Sequence, residues 1–206
     1  MKITIEIAVI LCFLACGNSS EQDQSSAWGG TRWIRLDQEN IELRIPENFK
    51  RSSRYRIKED LPILARDSAQ LRLVQNSLEI LELEDSEIDV FVDSSKTYRL
   101  IIICNTERID FNSSDASTLK TQMKLNNEKI ALSDSDIEFG EITAQMKGNS
   151  EYKLASYITE IRNILDNSTV YKSIYYLTGK AYTLVVYEFS EDEESFEKYL
   201  WTTKTG

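Results

Sequence analysis

Apolar and polar residues alternate along much of this chain, and the period lengthens where helices should interrupt a sheet. Ile41, Leu43 and Ile45 alternate with Glu42 and Arg44, which predicts a strand with one buried face. Trp33, in the stretch before it, is assigned to that same apolar face. Pro46-Glu47-Asn48 ends the strand. Between Asp67 and Asp85, Leu71, Val74, Leu78 and Leu81 recur at steps of three and four, with Asp67 or Ser68 placed to cap the first turn; an amphipathic helix is expected there. Ile88, Val90 and Val92 then alternate with Asp89, Phe91 and Asp93, and Tyr98 to Cys104 follows, predicting two strands joined at Asp93-Ser94-Ser95. A second helix is expected from about Ser114 to Asn126, with Leu119 and Met123 on its apolar side and serines capping it.

The second half reads mainly as strands. Ile137, Phe139 and Ile142 begin one. Tyr152 to Leu165 fits both periods: Leu154, Ile158, Ile161 and Leu165 suit a helix, whereas Tyr157, Thr159 and Ile161 suit a strand, and the strand is preferred. Tyr171 to Leu177 and Ala181 to Phe189 form a hairpin across Gly179-Lys180, where a leading glycine suits a type II′ turn. Glu191 to Leu200 closes the chain as a short helix whose first turn carries Glu191, Asp192, Glu193 and Glu194, acids that complement the helix dipole. Tyr171, Tyr175, Tyr176, Tyr182 and Tyr187 concentrate on the hairpin. Alternation turns Tyr175 and Tyr176 to opposite sides, so one set belongs to the core and the other is the candidate binding surface, sheet covering being the favoured role.

The N-terminus carries a different signal. Lys2 precedes the apolar run Ile3 to Ala15, which is shorter than the roughly 20 residues a membrane-spanning helix needs and fits a removed secretion signal. Phe13-Leu14-Ala15-Cys16-Gly17 is similar to a bacterial lipobox, with Ala15 before the scissile bond and Cys16 as the lipidated residue; Glu6 inside the run and the bulk of Phe13 and Leu14 depart from that pattern. Residues 1–15 are thus expected to be a signal peptide and 16–27 a lipidated cysteine with its tether, leaving 28–206 as a single globular domain. Ten polar residues after Cys16 would span about 17 Å, keeping the domain near the bilayer. Cleavage also removes Cys12, so Cys104, inside Leu100 to Cys104, has no disulfide partner and is read as a core residue.

Composition then removes whole classes of chemistry. The 206 residues hold 24 Lys and Arg against 34 Asp and Glu, no histidine, and a net charge of -10. Catalysis by an imidazole base and histidine-ligated metals are excluded, and the acidic balance argues against nucleic-acid binding. No phosphate-binding glycine loop, nucleophile elbow or paired-cysteine metal motif occurs. Asp134, Asp136 and Glu138 alternate before Gly140 much as in a calcium loop, but the glycine is one place late and no bidentate acid follows at the required spacing. No catalytic residue, metal or cofactor is therefore assigned. Lys50, Arg51, Arg54, Arg56 and Lys58 form a local basic run, read either as a contact for lipid headgroups or, preferentially, as a solvated loop.

Taken together, the strand running into Ile45-Pro46-Glu47-Asn48-Phe49, the segment Asp89-Val90-Phe91-Val92-Asp93 and the terminal strand and helix from Ala181 to Tyr199 resemble the PsbP-like fold shared with Mog-type Ran-binding proteins and small bacterial lipoproteins of the DcrB kind. The resemblance covers about residues 30 to 202. It implies an α+β domain in which a central antiparallel β-sheet is flanked by helices, a PsbP-like α/β/α sandwich. It also implies a binding or assembly role without a shared catalytic residue. The expected function is a non-enzymatic lipoprotein of the bacterial cell envelope, held to the membrane at Cys16 and binding a protein partner. The alternative is an immunity-type inhibitor that neutralises a basic toxin, and a carboxylate-based hydrolase ranks third.

Overall fold

The computed structural model describes residues 30–36, 41–52, 88–93, 99–192 and 195–205, together with Gln75. The expected leader with Cys16 and its tether, the helix at 67–85, the turn at 94–95 and the basic residues Arg54, Arg56 and Lys58 lie outside these described residues.

Thirteen elements are described. They are β1 (Thr31–Arg35), β2 (Ile41–Pro46), β3 (Phe49–Ser52), β4 (Ile88–Asp93), β5 (Arg99–Glu107), helix α1 (Ser113–Ser133), β6 (Ile137–Phe139), β7 (Thr143–Gly148), β8 (Lys153–Asn163), β9 (Thr169–Thr178), β10 (Tyr182–Ser190), helix α2 (Glu197–Leu200) and β11 (Lys204–Thr205). An eight-stranded sheet runs β3-β4-β5-β10-β9-β8-β6, with β7 also pairing to β8, and a three-stranded sheet runs β1-β2-β11. Every pairing is antiparallel.

The large sheet buries both of its faces, which explains why its central strands read as unbroken apolar runs. In β5, Leu100, Ile102 and Cys104 join Val90, Ile161, Val170, Ile174, Val185 and Phe189 on one side. Ile101 and Ile103 join Phe91, Leu154, Tyr175, Leu177, Leu184 and Val186 on the other. That second face is covered by Ile41, Leu43 and Ile45 of β2 and by Phe196, Tyr199 and Leu200 at the C-terminal helix. The first face receives Met123 and Ile130 of α1, and Ala116 and Leu119 pack nearby on Tyr157 and Ile142. Among the described residues, therefore, the layers are a helix, the large sheet, and a small sheet with one short helix. By these residues the fold is a sheet-rich, antiparallel α+β arrangement, not the balanced α/β/α sandwich expected.

Several elements differ from the expectation for identifiable reasons. Trp33 lies in register with Arg44, while Ile34 pairs with Leu43, so Trp33 shares the polar side of the small sheet and Ile34 takes the buried one. Helix α1 runs seven residues past Asn126, to Ser133. Its cap is Asn112, not a serine: the Asn112 side chain accepts from the Ser114 and Asp115 amides at 2.8 and 3.1 Å, and Asp115 returns a bond to the Asn112 amide at 3.1 Å. No residue of α1 is fully buried, and past Asn126 only Ile130 packs on the core cluster, too little to mark the end of the helix by its pattern. The strand expected from Ile137 to Ile142 breaks at Gly140 into β6 and β7, both laid along β8. The closing helix covers Glu197–Leu200, because Ser190 still belongs to β10.

The hairpin turn also differs. Gly179 does not take the left-handed φ of a type II′ turn; the described glycine that does is Gly30, at 71°. Gly179 donates to the Tyr182 carbonyl at 3.0 Å. Its lack of a side chain matters for space: a Cβ there would stand 3.2 Å from the Tyr152 ring and 3.4 Å from the Tyr182 ring. Residues 153–163, which fitted both periods, form the strand β8.

Candidate functional site

Helix α1 touches the sheet through Ala116, Leu119, Met123 and Ile130, a stripe narrow enough to leave one flank of the helix free. That flank presents Lys120, Lys124, Asn127, Glu128 and Ala131 to the sheet edge, where Ile137, Phe139 and Ile142 come from β6 and the bend after it. Ile164, from the β8–β9 connection, closes one end. The result is a groove of about 720 Å³. Its far wall exists because the edge strand bends at Gly140, whose amide donates to the Glu160 carbonyl at 2.8 Å. A Cβ on Gly140 would come within 3.2 Å of the Glu160 Cβ, so a side chain here would push the wall outward.

The groove has an apolar floor and a charged rim of both signs. Lys120, Lys124 and Glu128 stand on the helix side, with Lys124 4.0 Å from Glu128, and Glu138 and Glu141 stand on the strand side. Glu138 is steadied by Arg162 at 3.7 Å, and Arg162 also reaches Glu160 at 3.2 Å. Beside the groove the apolar surface continues outward: Ile164 is 57% exposed and its neighbour Leu165 76%. Fixed apolar residues with a few charges around them bind through desolvation and use the charges for register, a composition suited to holding a peptide segment.

On the opposite side of the same bend lies a smaller hollow of about 310 Å³, which shares Gly140 and Glu141 with the groove. Tyr171, Ser173, Glu188 and Ser190 line it. Glu188 is fully buried and belongs to a structural network. Its Oε1 accepts from Arg99 Nε and Nη2 at 3.0 and 2.7 Å, and its Oε2 accepts from the Tyr175 hydroxyl at 3.0 Å and the Phe196 amide at 2.9 Å. Burial pushes the Glu188 carboxyl up from its ordinary value, and the Arg99 guanidinium pulls the other way. The network ties the start of the C-terminal helix to β5, β9 and β10.

The five hairpin tyrosines do not come together as one surface. Tyr171, Tyr175 and Tyr182 project toward the small sheet, Tyr176 and Tyr187 toward the face that α1 packs on. Tyr175 is fully buried, its hydroxyl 3.0 Å from Ser195 as well as bonded to Glu188. Tyr182 is buried beside Gly179. Tyr176 is half-buried, packed 4.9 Å from the Phe111 ring and edge-on to Tyr157 at 6.1 Å. Tyr187 is half-buried in the core, and Tyr171 lines the smaller hollow.

The other sequence candidates have structural roles. Asp134 ends α1 and its side chain accepts from the Asp136 amide at 3.2 Å, so that pair shapes a turn. Among the described residues no group of three or more acidic or thiol side chains is placed to hold a metal ion. Arg51 of the basic run pairs with Asp89 at 2.5 Å and lies 5.7 Å from the Phe91 ring. Cys104 is buried, its thiol donating to the Val185 carbonyl at 3.4 Å. The groove itself escaped sequence reading because three separate segments build it, and only the surplus of apolar residues at Ile164-Leu165, next to a polar loop, hinted at it.

Neither a protein-family model nor a curated protein matches this sequence. Among solved structures, the solution structure of cyanobacterial PsbP (CyanoP) from Synechocystis sp. PCC 6803 superposes with a TM-score of 0.51, covering 93% of this chain and 99% of that one at 10% identity. At that identity the likeness speaks for the arrangement of strands and helices alone, and by that measure the fold of this chain is PsbP-like.

Proposed function

We propose that this protein is a lipid-anchored component of the bacterial envelope whose PsbP-like domain binds another protein and carries out no reaction of its own. Within that fold it stands with the small lipoproteins of the DcrB kind, on the strength of the lipobox-like Phe13-Leu14-Ala15-Cys16. The observation that carries the binding role is the groove between α1 and the β6 edge. Its fitting occupant is a segment of an envelope protein with apolar side chains toward Ile137, Phe139 and Ile164. Acids on that segment would face Lys120 and Lys124, and basic groups would face Glu138 and Glu141.

Two measurements test the two halves. Intact mass and membrane partitioning of the full chain expressed in a diderm bacterium should give a chain that begins at a lipidated Cys16 and stays with the membrane through a high-salt wash, whereas the wash should release Cys16→Ser. A chain that keeps Met1 and stays soluble overturns the anchor. For the groove, Ala131→Trp fills the helix flank without touching the sheet core, so a partner that co-purifies with the wild type should be lost from the variant. An identical set of envelope proteins with both would refute groove binding.

A further inference from the structure

The outward side of the β1–β2–β11 sheet plays no part in the groove. In register across it lie Trp33 beside Arg44, then Arg35 beside Glu42, with Lys204 on the other side of Glu42. Trp33 is 40% exposed. The Lys204 ammonium stands 4.3 Å from its ring centre and the Arg44 guanidinium 5.5 Å, so the indole is held between two cations. Arg51 extends the same surface by donating to the Arg35 carbonyl at 3.0 Å. Among the described residues of this face three cations, Arg35, Arg44 and Lys204, meet one acid, Glu42, on a chain whose net charge is -10.

An exposed tryptophan framed by Arg and Lys matches the chemistry of a phospholipid interface. The indole settles at headgroup depth, while guanidinium and ammonium groups pair with lipid phosphates. Position in the chain supports the same occupant, and here the inference rests on the lipid anchor proposed above. β1 begins at Thr31, and a tether of the length separating it from Cys16 has a typical span of about 20 Å, which keeps the first strand near the bilayer. The small sheet and α1 also pack on opposite faces of the large sheet, which places the groove on the far side of the molecule.

We propose that the outward face of the β1–β2–β11 sheet lies on anionic phospholipid headgroups, with Trp33 at the interface and Arg35, Arg44 and Lys204 against lipid phosphates, turning the α1 groove away from the membrane. Each cation in contact with such a surface strengthens binding about fivefold. Removing two should therefore weaken it on the order of 25-fold.

The test uses the full chain carrying Cys16→Ser, so that the lipid contributes nothing, in sedimentation with vesicles of phosphatidylcholine alone or with about one-third phosphatidylglycerol. Binding should be stronger to the anionic vesicles and should fall with salt. Arg35→Gln with Lys204→Gln should lose about 25-fold on anionic vesicles and nothing on neutral ones, which also separates this face from the apolar N-terminal run. In wild type, brominated lipid should quench a tryptophan signal that Trp33→Phe lacks. Urea midpoints of the variants establish that they are folded. Equal binding by wild type and the double variant overturns the proposal, as does binding indifferent to lipid charge or capture of an acidic protein by this face without vesicle binding. A domain that binds anionic vesicles but proves unlipidated in the mass measurement would retain this surface and lose only the anchor.

Discussion

Lys172 puts a charge where its neighbours are apolar. It lies on β9 between Thr159 of β8 and Phe189 of β10, on the face that carries Val170 and Ile174, with its ammonium 6.0 Å from the Phe189 ring centre. Loss of hydration lowers its pKa from the ordinary 10.5 to about 8. Because the folded state releases this proton before the unfolded chain does, the unfolded state binds more protons between about pH 8 and 10.5, and stability rises with pH across that window. Burial pushes the Tyr175 and Tyr157 hydroxyls up, which works the other way, but only above pH 10, where the unfolded tyrosines ionise first. At neutral pH the cost of the partly desolvated ammonium is present in full. Lys172→Met should therefore raise the unfolding free energy by about 1–3 kcal/mol at pH 7, and the gain should shrink toward pH 10. Urea titrations of both proteins at pH 7, 8, 9 and 10 read this directly, and a gap that stays constant over the series would show that the lysine is not desolvated.

At the scale of elements, the β8–β9 connection is held by its own short-range bonds. The Leu165 amide bonds to the Asn163 side chain at 3.0 Å, the Ser168 amide to the Asp166 side chain at 2.9 Å, and the Asn163 amide closes onto the Ser168 carbonyl at 2.9 Å. Asn167 completes the turn with φ at 58°, the left-handed region that Asn tolerates and β-branched residues do not. Asn167→Gly should change stability by a few tenths of a kcal/mol at most, whereas Asn167→Val should cost about 1–2 kcal/mol, measured by thermal or urea unfolding. Equal costs for the two would mean that the side chain matters here and the backbone angle does not.

What could be read from the sequence at this scale follows from where the packing partner comes from. β2, β5, β9 and β10 were legible because each buries alternate or continuous apolar residues within one segment, and β8 was resolved once alternation was preferred over the helical spacing. Trp33 was misassigned because β1 has one apolar residue of each parity, Trp33 and Ile34, and only the pairing with β2 decides between them. β11 is two residues long and exists through its pairing to Ile41 and Glu42, so no local pattern marks it. The groove was hidden for the same reason on a larger scale, since residues 120–131, 137–142 and 164 meet only after the sheet has formed.

For the whole molecule, the large sheet acts as a divider. One face carries the small sheet, with Trp33 and its cations outermost; the other carries α1 and the groove. If the outward face of the small sheet rests on the membrane, the two sides must differ in access to water-soluble reagents. The chain is well prepared for such a comparison, because Cys104 is buried and its thiol is engaged by the Val185 carbonyl, so an introduced cysteine would label alone once Cys16 is lipidated. Glu42→Cys places a thiol at the centre of the outward face and removes an acid, leaving the cations in place; Glu128→Cys places one on the exposed groove rim. With the lipidated protein in native membranes, a membrane-impermeant maleimide should label Glu128→Cys as fast as it does in detergent. Glu42→Cys should label several-fold more slowly until the membrane is dissolved or high salt releases the face. Equal rates at both positions, in membrane and in detergent, would mean that the domain swings freely on its tether, and the direction in which it presents its groove would then be set by the partner alone.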